Sequence, residues 1–192
     1  MNIFAVKTNV VFHKKPEWLD LFFDKHNLVK YGYHITLKQS CIIAEENIED
    51  AINKFKGYFD QNTVKVIPIV FDELVIDPEG ADKNDACIML NASNEQISKL
   101  QKGILFALNE YRDYVNPETE LYEKNFKPHI TIAANLDKTR LEEAQKDLKP
   151  EYRCECEITQ VILVVLKDFS PIDQSSREKQ KIVIELDRTK TS

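Results

Sequence analysis

His34-Ile35-Thr36-Leu37 and His129-Ile130-Thr131-Ile132 are near-copies of one phrase, one in each half of a 192-residue chain, and they use two of its four histidines. Each copy alternates polar and apolar residues, the period-two pattern of a half-buried strand. The imidazole and hydroxyl therefore project from one face and the aliphatic side chains from the other. With a chance of roughly one in fifty that a histidine is followed by such a match, two hits among four histidines arise in about one sequence in several hundred. The alternation extends outward, so Lys38 is expected on the face of Thr36 and Lys127 on the face of His129. Either lysine supplies a cation to that face or is a solvated strand end. Gly32 also falls on the His34 face, where it suits a close ligand approach or an ordinary turn.

Similar elements surround the two phrases. Residues 3–12 read as a strand, Pro16 opens a helix with Trp18, Leu19, Leu21, Phe22 and Phe23 on its broad apolar side, and the first His strand ends near residue 44. A helix over 45–58 follows, then strands over 63–76 and 86–92 joined as a hairpin through Asp77-Pro78-Glu79-Gly80. Ser93 and Gln96 form a capping-box pattern ahead of the long apolar stripe from Ile97 to Tyr111. The second His strand runs to about residue 135, a helix covers 138–148 until Pro150, and strands are expected over 152–168 and 180–187. Val64 lies 30 residues after His34 and Ile158 lies 29 after His129, while Cys87 and Ile182 each lie 53 beyond their own histidine. This order and spacing predict one bilobal domain over 1–192, with lobes near 1–115 and 116–192 and room for strands to exchange between them. If the halves pack about a pseudo-twofold axis, the two His-Thr pairs face one another across a groove.

The chain is long enough to bury roughly 70% of its unfolded surface, and 43% hydrophobic with 30% charged residues is an ordinary globular balance. A net charge of −6 argues against a broad grip on long nucleic acid. A small or terminal phosphate needs only a few local donors and is compatible with it. Cys41, Cys87, Cys154 and Cys156 lack zinc-type spacing and read as reduced structural residues. The first apolar stretch is broken by Lys7 and has no signal-peptide layout, and no run approaches a membrane span, so a cytoplasmic location, no membrane partner and a monomer are expected. His13 and His26 have no matching context and are expected at the surface.

Two imidazoles with ordinary pKa near 6.5 can hold one proton between them, one accepting while the other donates. Across a phosphodiester or a 2′,3′-cyclic phosphate, the neutral ring takes a proton from the attacking oxygen and the protonated ring delivers one to the leaving oxygen. The threonine hydroxyls can hydrogen-bond the non-bridging oxygens, and a β-branched side chain keeps them aimed. The scheme requires no metal and no cofactor. Loops near the groove offer Tyr114, Tyr122 and Phe169 as stacking rings and Arg177 as a planar cation, although loop aromatics also serve to anchor a loop.

Two H-x-T-x phrases about a hundred residues apart, the second in the setting Phe126-Lys127-Pro128-His129, resemble the 2H phosphoesterase superfamily, which includes 2′-5′ RNA ligase-like proteins and cyclic phosphodiesterases. The resemblance implies an α+β fold of two pseudo-symmetric lobes, each an antiparallel sheet flanked by helices, with a central cleft. It also implies metal-independent phosphodiester chemistry on RNA ends or nucleotides. Carried over by residue, His34 and His129 are acid and base, and Thr36 and Thr131 contact phosphate. Where some relatives carry Arg beside the motifs, this chain offers Lys38, Lys127 and Arg177. The competing readings are a non-catalytic nucleotide- or RNA-end-binding module of the same fold, and a metal hydrolase using both histidines, for which no HxH, HxxxH or clustered carboxylate is present.

Overall fold

In chain order the elements are β1 (Asn2–Asn9), β2 (Val11–Lys14), α1 (Trp18–His26), β3 (His34–Ile43), α2 (Ile48–Gln61), β4 (Ile67–Phe71), β5 (Glu73–Asp77) and β6 (Ala86–Asn91). They continue with α3 (Glu95–Ala107), α4 (Glu120–Lys124), β7 (His129–Leu136), α5 (Lys138–Asp147), β8 (Cys154–Ile158), β9 (Gln160–Leu166) and β10 (Glu178–Glu185). The computed structural model describes residues 2–26, 32–79, 85–168 and 178–188. Among the described residues, no helix is long and apolar enough to cross a membrane.

Three expected long strands each break once and change sheet. The stretch 3–12 divides at Val10, 63–76 at Asp72 and 152–168 at Thr159. The segments β2, β8 and β4 form a three-stranded antiparallel sheet, while the other parts join the order β10-β9-β1-β3 or β5-β6-β7. A long, twisting strand can satisfy its backbone groups this way by pairing with different neighbours along its length. All three sheets mix the halves of the chain: β9 and β10 join β1 and β3, β7 joins β5 and β6, and β8 joins β2 and β4. The anticipated hairpin between β5 and β6 is present. The architecture is α+β with antiparallel sheets.

Helices cover the backs of the sheets, α1 and α5 against β7, α3 against β3, and α2 against β9 and β10. Phe4, Val6, Leu163 and Val165 face this packed side, as do Ile88, Leu90, Ile130 and Ile132. Two helix starts differ from expectation. The cap of α3 is Asn94, whose Oδ1 accepts the Ile97 N–H at 3.0 Å, rather than Ser93 with Gln96. A short 3₁₀ turn occupies Glu45–Asn47, so α2 begins at Ile48. His26 is not a surface residue: it is 4% exposed, because the last turn of α1 faces α5, and its Nε2 lies 2.7 Å from the Asp147 carboxylate. Cys41, Cys154 and Cys156 are buried, Cys87 is half-buried, and all four are free thiols.

Candidate active site

The two repeated phrases begin β3 and β7, edge strands of the four-stranded sheet and of the β5-β6-β7 sheet, and these strands pack against each other. Antiparallel partners share a face. Asn9 lies opposite His34 and Lys7 opposite Thr36 on the first sheet, while Asn91 lies opposite His129 and Met89 opposite Thr131 on the second. Each histidine thus has a cross-strand asparagine, an internal symmetry of the site. A cleft of about 650 Å³ runs from Thr36 and Gln39 on β3 to Asn91 and His129 on the facing sheet.

Both rings are held alike. The Nδ1 of His34 lies 3.0 Å from the Gly32 carbonyl, and that of His129 lies 2.9 Å from the Lys127 carbonyl, each two residues upstream. A carbonyl only accepts, so Nδ1 carries the proton of each neutral ring and Nε2 is the basic atom. Gly32 has φ +67, a conformation that favours glycine, so its role is that of a turn glycine which aims this carbonyl.

The rings are half-buried. Burial pushes the His34 pKa down to about 4, with the charges of Lys7 and His129 acting in the same direction and the Gly32 hydrogen bond opposing them. His129 is lowered as well, by burial, against its bond to the Lys127 carbonyl. The two imidazoles are therefore near enough for one charge to disfavour the other, and both are neutral at pH 7 in the ligand-free protein. Because the unfolded chain binds the His34 proton at higher pH than the folded one, stability falls as pH drops from about 6.5 through 4. The loss reaches roughly 3 kcal/mol below that range. Denaturant titrations of wild type and His34→Gln are expected to show this acid loss reduced in the variant; parallel pH curves would contradict the assigned shift.

One residue past each threonine the strands bulge. Lys7 pairs with Thr36 but Val6 with Lys38, and Met89 pairs with Thr131 but Ile88 with Ala133. The extra residue resets the alternation, so both Leu37 and Lys38, and both Ile132 and Ala133, are buried. The expectation that Lys38 shares the face of Thr36 therefore does not hold. Lys38 occupies the position equivalent to Ala133, on the packed side, with Nζ 3.7 Å from Glu123 and above the Tyr114 ring at 5.1 Å. Lys127 is exposed and lines the cleft beside His129. Tyr122, on α4, lines the cleft and hydrogen-bonds Asp77. Phe169 and Arg177 lie outside the described residues.

Sequence reasoning missed Lys7, Asn9 and Asn91. Lys7 is the cation that acts on His34, and its own pKa is lowered by burial and by Lys181, with Glu178 opposing. Asn91 is 6% exposed and its amide donates to Glu73 at 3.1 Å. A lone lysine inside the apolar run of β1 was the available signal for Lys7. The asparagines carry no signal until cross-strand register is known. Among the described residues, no three His, Cys, Asp or Glu side chains cluster as a metal site.

A family model described as the 2′-5′ RNA ligase superfamily matches residues 20–168. A comparison with curated proteins finds no match. Among solved structures, Usb1 of Kluyveromyces marxianus matches with a TM-score of 0.56 at 12% identity, over 96% of this chain and 98% of its own. A phosphoesterase crystal structure matches at 0.57 and 12% identity, over 98% of this chain and 100% of its own. E. coli LigT, complexed with NADP+, matches at 0.53 and 12% identity, over 96% of this chain and 94% of its own. At these identities the solved structures demonstrate a shared fold.

Proposed function

The chain belongs to the 2′-5′ RNA ligase superfamily, among the 2H phosphoesterases, and on that premise we propose a metal-independent phosphodiesterase acting on 2′-5′-linked or 2′,3′-cyclic phosphate RNA ends or nucleotides. The observation that carries this reading is the matched anchoring of two imidazoles on strands that pack together, each with Nδ1 on a backbone carbonyl. The NADP+ held by LigT is consistent with a nucleotide ligand for this fold.

In hydrolysis of a 2′,3′-cyclic phosphate, one Nε2 takes a proton from water as the water oxygen bonds phosphorus. The bond from phosphorus to the 2′ or 3′ oxygen breaks, and the other imidazolium protonates that oxygen, leaving a phosphomonoester. At a 2′-5′ linkage the neighbouring 3′-hydroxyl attacks instead, O5′ leaves with the donated proton, and a 2′,3′-cyclic phosphate forms. Thr36 and Thr131 donate to the non-bridging oxygens. His34 is the base, because the positive charges of Lys7 and His129 both favour its neutral form, and His129 is the acid. A bound phosphate anion places negative charge between the rings and so raises the protonated fraction that the acid role needs.

Since kcat/KM reports groups of the free enzyme and both histidines are shifted downward, its bell-shaped profile is expected to peak below pH 6.5 and fall through pH 7. A plateau extending above pH 7 would contradict this assignment. The decisive assay is a panel of 2′,3′-cyclic and 2′-5′-linked substrates in EDTA, with the His34→Ala/His129→Ala double variant as control. Turnover that survives EDTA and disappears in the variant supports the reading. Tight nucleotide binding without any product supports the non-catalytic module, and turnover lost in EDTA but restored by a divalent metal supports a metal hydrolase.

A further inference from the structure

The cleft and the sheet face that continues from it past Thr36 carry opposite charge. Around the cleft, which reaches from Thr36 to His129, the described lining residues include four carboxylates, Glu73, Asp77, Glu79 and Glu118, against one lysine, Lys127. Glu73 is tied to Asn91 and Asp77 to Tyr122, so two of the four are fixed in place by residues that themselves line the cleft. On the adjoining sheet face, which His34 and Thr36 share with Lys7, the pattern reverses. Lys7 stands opposite Thr36 in register, and Lys181 lies two strands away on the same sheet face, two residues out of line with it. These two ammonium groups oppose each other's charge, with Glu178 acting in the contrary sense.

A phosphodiester centred between the rings has a flank on each side. A second phosphate on the His34 side meets Lys7 and Lys181, whereas one on the His129 side meets carboxylates in a partly desolvated cleft, where repulsion is stronger than in bulk water. We propose that the cleft takes phosphodiesters with further phosphate on one flank only: an uncharged terminal nucleoside in the carboxylate-lined side, and the phosphate-bearing remainder over Lys7 and Lys181. The enzyme would thus act at the end of a chain and be excluded from its interior. This rests on the phosphodiesterase reading above.

The test compares kcat/KM for a dinucleoside monophosphate with that for its 5′-phosphorylated and 3′-phosphorylated forms, in 2′-5′ linkage, and for a nucleoside 2′,3′-cyclic phosphate with its 5′-phosphorylated form. Phosphate at one end is expected to lower kcat/KM about tenfold or more and at the other to leave it equal or raise it, the difference shrinking as salt screens the charges. Glu79→Gln/Glu118→Gln is expected to lessen the penalty at the disfavoured end by at least about threefold. Lys181→Ala is expected to lower the ratio of phosphorylated to unphosphorylated substrate at the favoured end, and it serves alone if only the cyclic pair is turned over. Equal tolerance of phosphate at both ends, or ratios unmoved by both variants, overturns the polarity while leaving the phosphodiesterase reading intact. Absence of turnover on every unphosphorylated substrate overturns that reading, and the polarity with it.

Discussion

His34→Ala and His129→Ala are each expected to lower kcat/KM by roughly 10²–10⁴-fold, the range for loss of a positioned proton-transfer group. Each ring is anchored through Nδ1 and presents a single basic nitrogen, and the charge of His129 acts on His34. Removing either leaves one step of the displacement, deprotonation of the attacking oxygen or protonation of the leaving one, to solvent. The double variant is expected to be little worse than the weaker single variant, because groups that act as a unit do not lose activity additively. Added imidazole should restore part of the rate to the single variants and none to a misfolded chain. A fall of less than tenfold in either would remove that ring from proton transfer. Thr36→Val and Thr131→Val keep the shape of the strands and delete one donor each, so losses are expected in kcat more than in KM.

The largest stability effect is expected at Glu123→Gln, about 3–5 kcal/mol in urea denaturation. Glu123 and Lys38 are 8% and 1% exposed, and the carboxylate is surrounded by donors: the Gln39 N–H at 2.6 Å, the Tyr114 hydroxyl at 2.6 Å and the Lys38 ammonium at 3.7 Å. Neutralising it strands a buried ammonium. The same bonds tie α4, which carries Tyr122, to β3 immediately after the bulge that follows Thr36. Lys38→Met combined with Glu123→Gln removes both charges and is expected to recover much of the loss. A single-variant cost below about 1 kcal/mol would show that water reaches the pair.

Much of the site was legible because strand alternation is a local property. Once His34-Ile35-Thr36 and His129-Ile130-Thr131 were read as strands, imidazole and hydroxyl had to share a face, and register bears this out on both sheets. The order of helices and the β5–β6 hairpin were likewise legible, from apolar spacing and turn residues. Lys38 failed for a stated reason. Period two holds only until a bulge, and the bulge depends on how β3 pairs with β1, which nothing within residues 34–43 encodes. His26 failed similarly, because its partner Asp147 arrives from α5.

From the chain alone came the chemistry of each motif, its repetition and the face on which its groups stand, since these follow from neighbouring residues and the pleat of a strand. Tertiary structure decided which charges accompany that chemistry. The breaks at Val10, Asp72 and Thr159 redistribute strands among three sheets; cross-strand register sets Lys7 against Thr36 and asparagine against each histidine; and burial lowers both imidazole pKa values. Those outcomes arise from hydrogen bonding and desolvation between segments distant in sequence, so they exist only once the sheets have assembled.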